Sequence, residues 1–329
     1  MIEYFLCLTA AQSSTITVIT TAAATSCISS AYTSFMSEYN VITRESLTSN
    51  SNIGYRTIVC GSLLKGSTFG TQLDQNTFTP SVYSLEINGS VSGNSINIQA
   101  GSIALGPYPL NRVNKQNSNQ YLIDSKVQAN MNQGNRNATV QVDNTLPTRC
   151  SQIISNMISL SQILAQLPSN NNPTIPSSTN GPFTFNVVNV DQNGFAIFNV
   201  SASSIFGNSK VQEIRANITN SNMKLMVINV YETTIDGPVG NFDNGWFAEN
   251  GLGRSLTVWN FHNAQQINFR RRMAGAILAP SASIATQSRI DGTVAVKSLD
   301  VSGVFGPAVT FPNCTTTPTQ TTICMYIYI

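Results

Sequence analysis

The chain has 329 residues, of which only 10% are charged, and its 17 basic and 15 acidic side chains leave a net charge of +2. That length allows one large domain or two medium ones with a substantial core, and the near balance of charge excludes the electrostatic footprint of a nucleic-acid or anionic-membrane binder. Ser, Thr and Asn supply the polarity instead, which suits sugars, water or ice better than ionic ligands.

The N-terminal residues 1–11 carry an apolar core without a basic flank, a signal-like stretch, and residues 12–34 read as a leader, a capping strand or an arm. No segment reaches the 18 or so apolar residues needed to span a bilayer. Between residues 39 and 64, and again between 83 and 105, short apolar runs alternate with polar residues and are punctuated by glycines, the pattern of half-buried strands. Residues 111–146 are rich in Asn and Gln and weakly patterned, and read as long surface connections with two strands. The period then changes. Ile153, Ile154, Met157, Ile158, Leu160, Ile163, Leu164 and Leu167 follow helical spacing, which predicts one amphipathic helix over about 149–167, capped by Thr148 or Ser151 and stopped by Pro168. Its apolar stripe is expected to pack along the strands. After a loop at residues 169–182, strands are expected at 183–190, 195–200, 211–218 and 223–231.

Residues 256–311 contain an internal repeat. Ile267, Ile284 and Val301 are spaced by seventeen residues, and Gly275 and Gly292 by the same interval. A period of that size fits one coil of a β-solenoid, in which each coil buries its inward residues by stacking on the next. The two glycines are expected at equivalent corners. The fold class expected is all-β, a parallel β-helix with one long helix packed along it, and the alternative is an ordinary antiparallel sheet with regular turns.

The order of motifs carries a family resemblance. Tyr39-Asn40-Val41-Ile42, the bends at Gly54 and Gly61 and the helix ending at Leu164 and Pro168 come first. Phe198-Asn199-Val200-Ser201, the run from Leu225 to Val230, Trp259-Asn260-Phe261 and the stretches opening at Gly275 and Gly292 follow. In that order they resemble the choice-of-anchor A domain family, with Cys60 and Arg270-Arg271-Arg272 as departures, and the resemblance implies a β-helical domain over residues 37–312 between a leader (1–36) and a tail (313–329). The resemblance implies a β-helical extracellular adhesin or cyst-wall lectin whose partner is a polysaccharide such as cellulose or chitin, or a matrix protein such as collagen. Self-association into a wall, coat or filament and an ice-binding β-helix are the alternatives. Thr257, Thr286 and Thr293 do not recur at the seventeen-residue interval, so no threonine ladder is evident.

Glycan recognition needs an aromatic face with amide and hydroxyl groups around it. The expected site is the loop holding Trp246 and Phe247 with Asn241, Asp243, Asn244 and Glu249, and Tyr108 and Tyr121 are further candidates. Sequons at Asn88, Asn137, Asn199, Asn217 and Asn313 are candidate glycosylation sites. No enzyme is expected: Asp236, Asp243, Glu232 and Glu249 lie near one another in sequence, but their spacing sets no pair face to face. Asp236, Asp243 and Asn244 offer oxygens to calcium without EF-hand spacing. His262, the only histidine, reads as a strand-end hydrogen bonder, and the Arg270–Arg272 triplet as a solvated bend. Six cysteines (Cys7, Cys27, Cys60, Cys150, Cys314, Cys324) contain no Cys-x-x-Cys pair and are too sparse for a disulfide scaffold, so neither metal nor cofactor is expected.

Overall fold

A computed structural model describes residues 28–74, 82–132, 138–237, 240–242, 245–306, 308–309 and 311–312. Ten strands lie in one parallel row: Val41–Ser49 (β1), Thr57–Val59 (β2), Tyr83–Ile87 (β3), Ser102–Leu105 (β4), Val140–Val142 (β5), Phe195–Ser201 (β6), Leu225–Tyr231 (β7), Thr257–Asn260 (β8), Ala276–Asp291 (β9) and Val294–Phe305 (β10). Their spatial order is β5-β4-β3-β2-β1-β10-β9-β8-β7-β6. The chain thus starts in the middle of the stack and coils outward to one end. It then crosses to the opposite end and coils back until β10 closes against β1, with Ile42 beside Ala295.

The crossing is made by a helix. Nine strand spacings amount to about 43 Å, and Leu146–Ala165 (α2), 20 residues long, supplies about 30 Å of that along the coil axis. Helix α2 runs over the sheet with a shorter helix, Ser30–Glu38 (α1), which takes up residues expected in the leader. The cap of α2 also differs from expectation. Thr145 precedes it without a side-chain cap, and Ser151 Oγ instead donates back to Pro147 O at 3.0 Å.

Where the helices cover the row from outside, its strands are buried on both faces, as in other covered parallel sheets. Val41, Val59, Phe198, Ile228, Trp259, Ile277 and Val296 point into the coil. Ile42, Ile58, Ile197, Val227, Val258, Leu278 and Ala295 point out and meet Cys150, Ile153, Met157, Leu160 and Leu164 of α2. A polar ladder, buried at Asn260 and Asn229, lies under the same helix: Asn260 Nδ2 donates to Asn229 Oδ1 at 2.8 Å, and Asn229 Nδ2 donates to Asn199 Oδ1 at 2.9 Å and to Leu164 O of α2 at 2.8 Å.

Two contacts pin the start of α2. Cys60, just past β2, forms a disulfide with Cys150, a pairing the spacing of the cysteines left open. Beside it the fully buried Glu86 accepts from Tyr39 Oη (2.9 Å), Arg56 Nη2 (3.0 Å) and Arg149 Nη2 (2.5 Å). Burial raises the Glu86 carboxyl above its ordinary range even against the two guanidiniums, and burial with the adjoining carboxylate drives the Tyr39 phenol well above the usual phenol range.

The described part of residues 111–146 is more than surface connection. Val113–Lys115, Gln120–Ile123 and Val127–Met131 form strands whose Tyr121, Ile123, Val127 and Ala129 enter the core. They close one end of the coil, where the buried Arg112 donates through two nitrogens to Asp124, at 2.8 Å each, and to the carbonyls of Gly89 and Gly106.

The seventeen-residue repeat is real but local. Ile267 pairs with Ile284, and Ile277 with Val294. Val301, however, pairs with Thr286, and Ile284 meets Leu299, because the register shifts between Ala279 and Ser283. Gly275 and Gly292 occupy stacked corners with φ of 107° and 149°, and a Cβ on Gly292 would lie 2.5 Å from Gly275 O.

Candidate functional site

The coil has three sheet faces. One is covered by α2. On a second, the strands that turn away from the helix stack Met273, Ile290, Val304, Ile53, Phe69, Ile98 and Met131 inward. The remaining face consists of Ser62–Lys65, the second half of β1, the middle of β10 and of β9, Gln266–Phe269 and Thr234–Gly237, all parallel. Its inward rank, Leu63, Leu47, Leu299, Ile284, Ile267 and Ile235, is wholly buried, which fixes the register and turns the alternate residues to solvent.

Those alternate residues form two outward ranks. The first is Ser62, Ser46, Ser298, Ser283, Gln266 and Thr234. Five of these six positions carry a hydroxyl, repeated at the strand spacing of about 4.8 Å over about 24 Å. The second rank, one pleat along, is Lys65, Thr48, Asp300, Ala285, Asn268 and Asp236. Its charges are tied down: Asp300 Oδ1 accepts from Asn50 at 3.0 Å, Asn50 Oδ1 from Lys65 Nζ at 2.8 Å, and Asp236 from Asn268 Nδ2 at 3.1 Å and Arg270 Nη2 at 3.2 Å. The first rank is therefore a regular array of neutral donors and acceptors, the second adds the charges of Lys65, Asp300 and Asp236, and no element of the described chain covers the face. It can engage a repeating hydroxyl or water lattice through many weak contacts in register.

Sequence reasoning missed this face, for two reasons. Its members are serines where threonines were sought, and their spatial order does not follow the chain. Thr257, Thr286 and Thr293 are all buried.

The expected glycan loop is arranged differently. Phe247 is fully buried, packed edge-on against Phe242 with ring centroids 5.2 Å apart, and it presents no ring face to a sugar. Trp246 is half-buried and its Nε1 donates to Thr257 Oγ1 at 3.0 Å. Asn241 Oδ1 accepts from Arg271 Nη1 at 2.6 Å, and Glu249 accepts from Arg289 Nη2 at 2.8 Å, which holds its carboxyl below the ordinary range. Asp243 and Asn244 lie outside the described residues. Tyr121 is buried, plugging the coil end, whereas Tyr108 is 72% exposed. The loop is held from below by Arg272, which is not solvated: it pairs with Asp291 and donates to the carbonyls of Phe242 and Phe247.

Of the carboxylates weighed for hydrolysis, Glu232 accepts from Ser203 N at 3.1 Å, while Asp236 and Glu249 serve separate arginines. Burial lowers the pKa of half-buried His262, a backbone hydrogen bond at Asn260 opposing the shift. Of the sequons, Asn217 and Asn199 are exposed, although Asn199 Oδ1 is engaged by Asn229. Asn88 is half-buried with its amide donating to Cys60 O at 3.2 Å, and Asn137 and Asn313 lie outside the described residues.

No curated protein matches the chain. Among solved structures, an ice-binding protein from the Antarctic ascomycete Antarctomyces psychrotrophicus aligns over 84% of this chain and 96% of its own, at 10% identity and a TM-score of 0.25. An ice-binding protein from an Antarctic bacterium of the Flavobacteriaceae aligns over 84% and 81%, at 9% identity and a TM-score of 0.31. A family model described as "Putative Ice-binding-like adhesive domain" matches residues 32–306, most of the chain and nearly all of the described coil. The chain belongs to this family of ice-binding-like adhesive domains.

Proposed function

We propose that the chain is an extracellular adhesive domain that attaches to ice through the face carrying Ser46, Ser62, Ser283, Ser298 and Thr234. The observation behind this reading is the stacked hydroxyl rank, five residues from five coils in one hydrogen-bonded ladder. A crystal of water offers no single anchoring group, so attachment to it is the sum of many contacts that must all be in register at once. A parallel ladder provides that register because its buried partner rank fixes every outward side chain. Small side chains add little rotamer entropy to the cost. The Cys60–Cys150 bridge supports an oxidising, extracytoplasmic setting. The test is partition into a slowly growing ice front: the chain is incorporated, whereas a serum albumin control is rejected. Equal rejection of both would overturn the reading.

A second reading keeps the β-helix as a wall-associated lectin of the choice-of-anchor A type that binds cellulose or chitin. One observation favours it: Tyr108 is 72% exposed and offers an open ring for stacking on a sugar. Half-buried Trp246 with Asn241 and Glu249 is the further candidate surface. Sedimentation with cellulose, chitin and collagen tests it. Retention on one polymer that Tyr108→Ala abolishes supports it, and retention on none removes it.

A further inference from the structure

The two ends of the ten-strand row are finished differently. At the β6 end the first half of the edge, at Phe195 and Ile197, is capped by the chain itself. Asn170 N and Asn171 N donate to Ile197 O at 3.1 and 3.3 Å, Ile197 N donates to Asn170 Oδ1 at 2.8 Å, and Asn170 Nδ2 donates to Phe195 O at 2.9 Å. No further strand can add there without displacing these bonds.

At the other end, among the described residues, β5 pairs only with β4. Thr139 O and Asp143 N bond to Ile103 N and Leu105 O, at 2.9 and 2.8 Å. The pleat therefore turns the backbone groups of Val140 and Val142 the opposite way, toward a side where no described strand lies. The hairpin of Val113–Lys115 and Gln120–Ile123 closes the core at this end and, like every other described strand, does not pair with that edge. Apolar side chains flank it: Val142 is 44% exposed, and Tyr108 and Leu110, in the loop that leaves β4 beside Val142, are 72% and 77% exposed. An unpaired strand edge with exposed apolar neighbours is a template for another strand.

We propose that the occupant of this edge is β5 of a second copy, paired antiparallel about a two-fold axis through Gln141. The reason lies in the contrast between the ends. A head-to-tail stack would need an open edge at β6, and there the bonds at Phe195 and Ile197 would have to break first. An isologous contact needs only one open edge, presented twice, and it closes as a dimer without continuing into a filament. Val140 of each copy then exchanges backbone hydrogen bonds with Val142 of the other, and the two Gln141 residues face each other in a non-hydrogen-bonded pair, with Cα atoms about 4.5 Å apart.

The symmetry has a functional consequence that rests on the ice reading above. A two-fold axis normal to the shared sheet keeps both α2 helices on one side and places the two hydroxyl faces on opposite flanks. The dimer is bivalent and bridges two surfaces where a monomer coats one.

Light scattering of the full chain on gel filtration is the test. The expected result is a dimer that Val142→Lys, which sets two like charges beside the axis, converts to a monomer with an unchanged circular dichroism spectrum. Gln141→Cys should form a covalent dimer on mild oxidation, above the level of the parent chain and of Gln212→Cys on a distant strand. A monomeric parent at high concentration overturns the proposal, and so does a dimer that resists Val142→Lys and gives no Gln141→Cys cross-link. Monomeric Val142→Lys that still enters ice separates the two ideas: the hydroxyl face then stands by itself and only the bridging depends on the dimer.

Discussion

At the scale of single residues, the most consequential side chain outside the hydroxyl face is Glu86, fully buried between Tyr39, Arg56 and Arg149. Removing the carboxylate would leave two guanidiniums facing each other under the helices. Both keep part of their surface in water, so Glu86→Ala should cost about 3 kcal/mol, the low end for a broken buried pair, read as a lower midpoint in urea. A change below about 0.5 kcal/mol would place the cluster among ordinary surface pairs. His262 gives a pH signature because it is the only histidine. Its pKa is lowered by burial, so between the folded value and the unfolded value of about 6.5 the unfolded chain binds the proton first. Its contribution to stability is complete above that unfolded value and is lost as pH falls through the folded one. The melting temperature should therefore drop on acidification below about pH 6.5, and His262→Asn should flatten that part of the profile. An unchanged slope in the variant would assign the effect to other groups.

At the scale of elements, α2 is held by packing, by the Asn ladder and by one covalent bond. The Cys60–Cys150 bridge closes a loop spanning 90 positions, for which loop-closure entropy gives about 4–5 kcal/mol, with strain and residual structure reducing it. Replacing both cysteines by serine should lower unfolding stability by about 2–4 kcal/mol in a denaturant titration. No loss at all would mean that the noncovalent contacts alone fix the helix. The helix itself was legible in the sequence, since its apolar positions recur at a period of 3.6 and Pro168 ends it. Its disulfide was not, because nothing local in a sequence sets Cys60 against Cys150. The pair comes together only when α2 lies along the sheet. The glycan loop was misread for a related reason. Aromatics among polar residues look exposed in sequence, whereas Phe247 fills the coil interior between Phe242 and Trp259.

At the scale of the whole molecule, the topology decides what the sequence can reveal. Between residues 256 and 301 successive coils are neighbours in space, so the stacking of Ile267 on Ile284 and of Gly275 on Gly292 appears as a period. Elsewhere the chain begins in the middle of the stack, and strands adjacent in space, such as β1 and β10, are some 250 residues apart. The hydroxyl rank runs 62, 46, 298, 283, 266, 234, an order that no periodicity search returns. The fold class was legible because alternation and glycine corners are local properties. The face was not, because it exists only across coils.

The central claim is that this face holds the chain to ice, and Ser283 and Ala285, both exposed near its middle, are where to test it. The direct measurement is the ice-bound fraction of the fluorescently labelled chain on a growing ice hemisphere, compared with Ser283→Arg/Ala285→Arg. Two long charged side chains there break contact across neighbouring coils without touching the buried rank. The parent should coat the ice while the variant, equally folded by circular dichroism, is left in the liquid. Equal coating by both, or exclusion of the parent, would contradict the account.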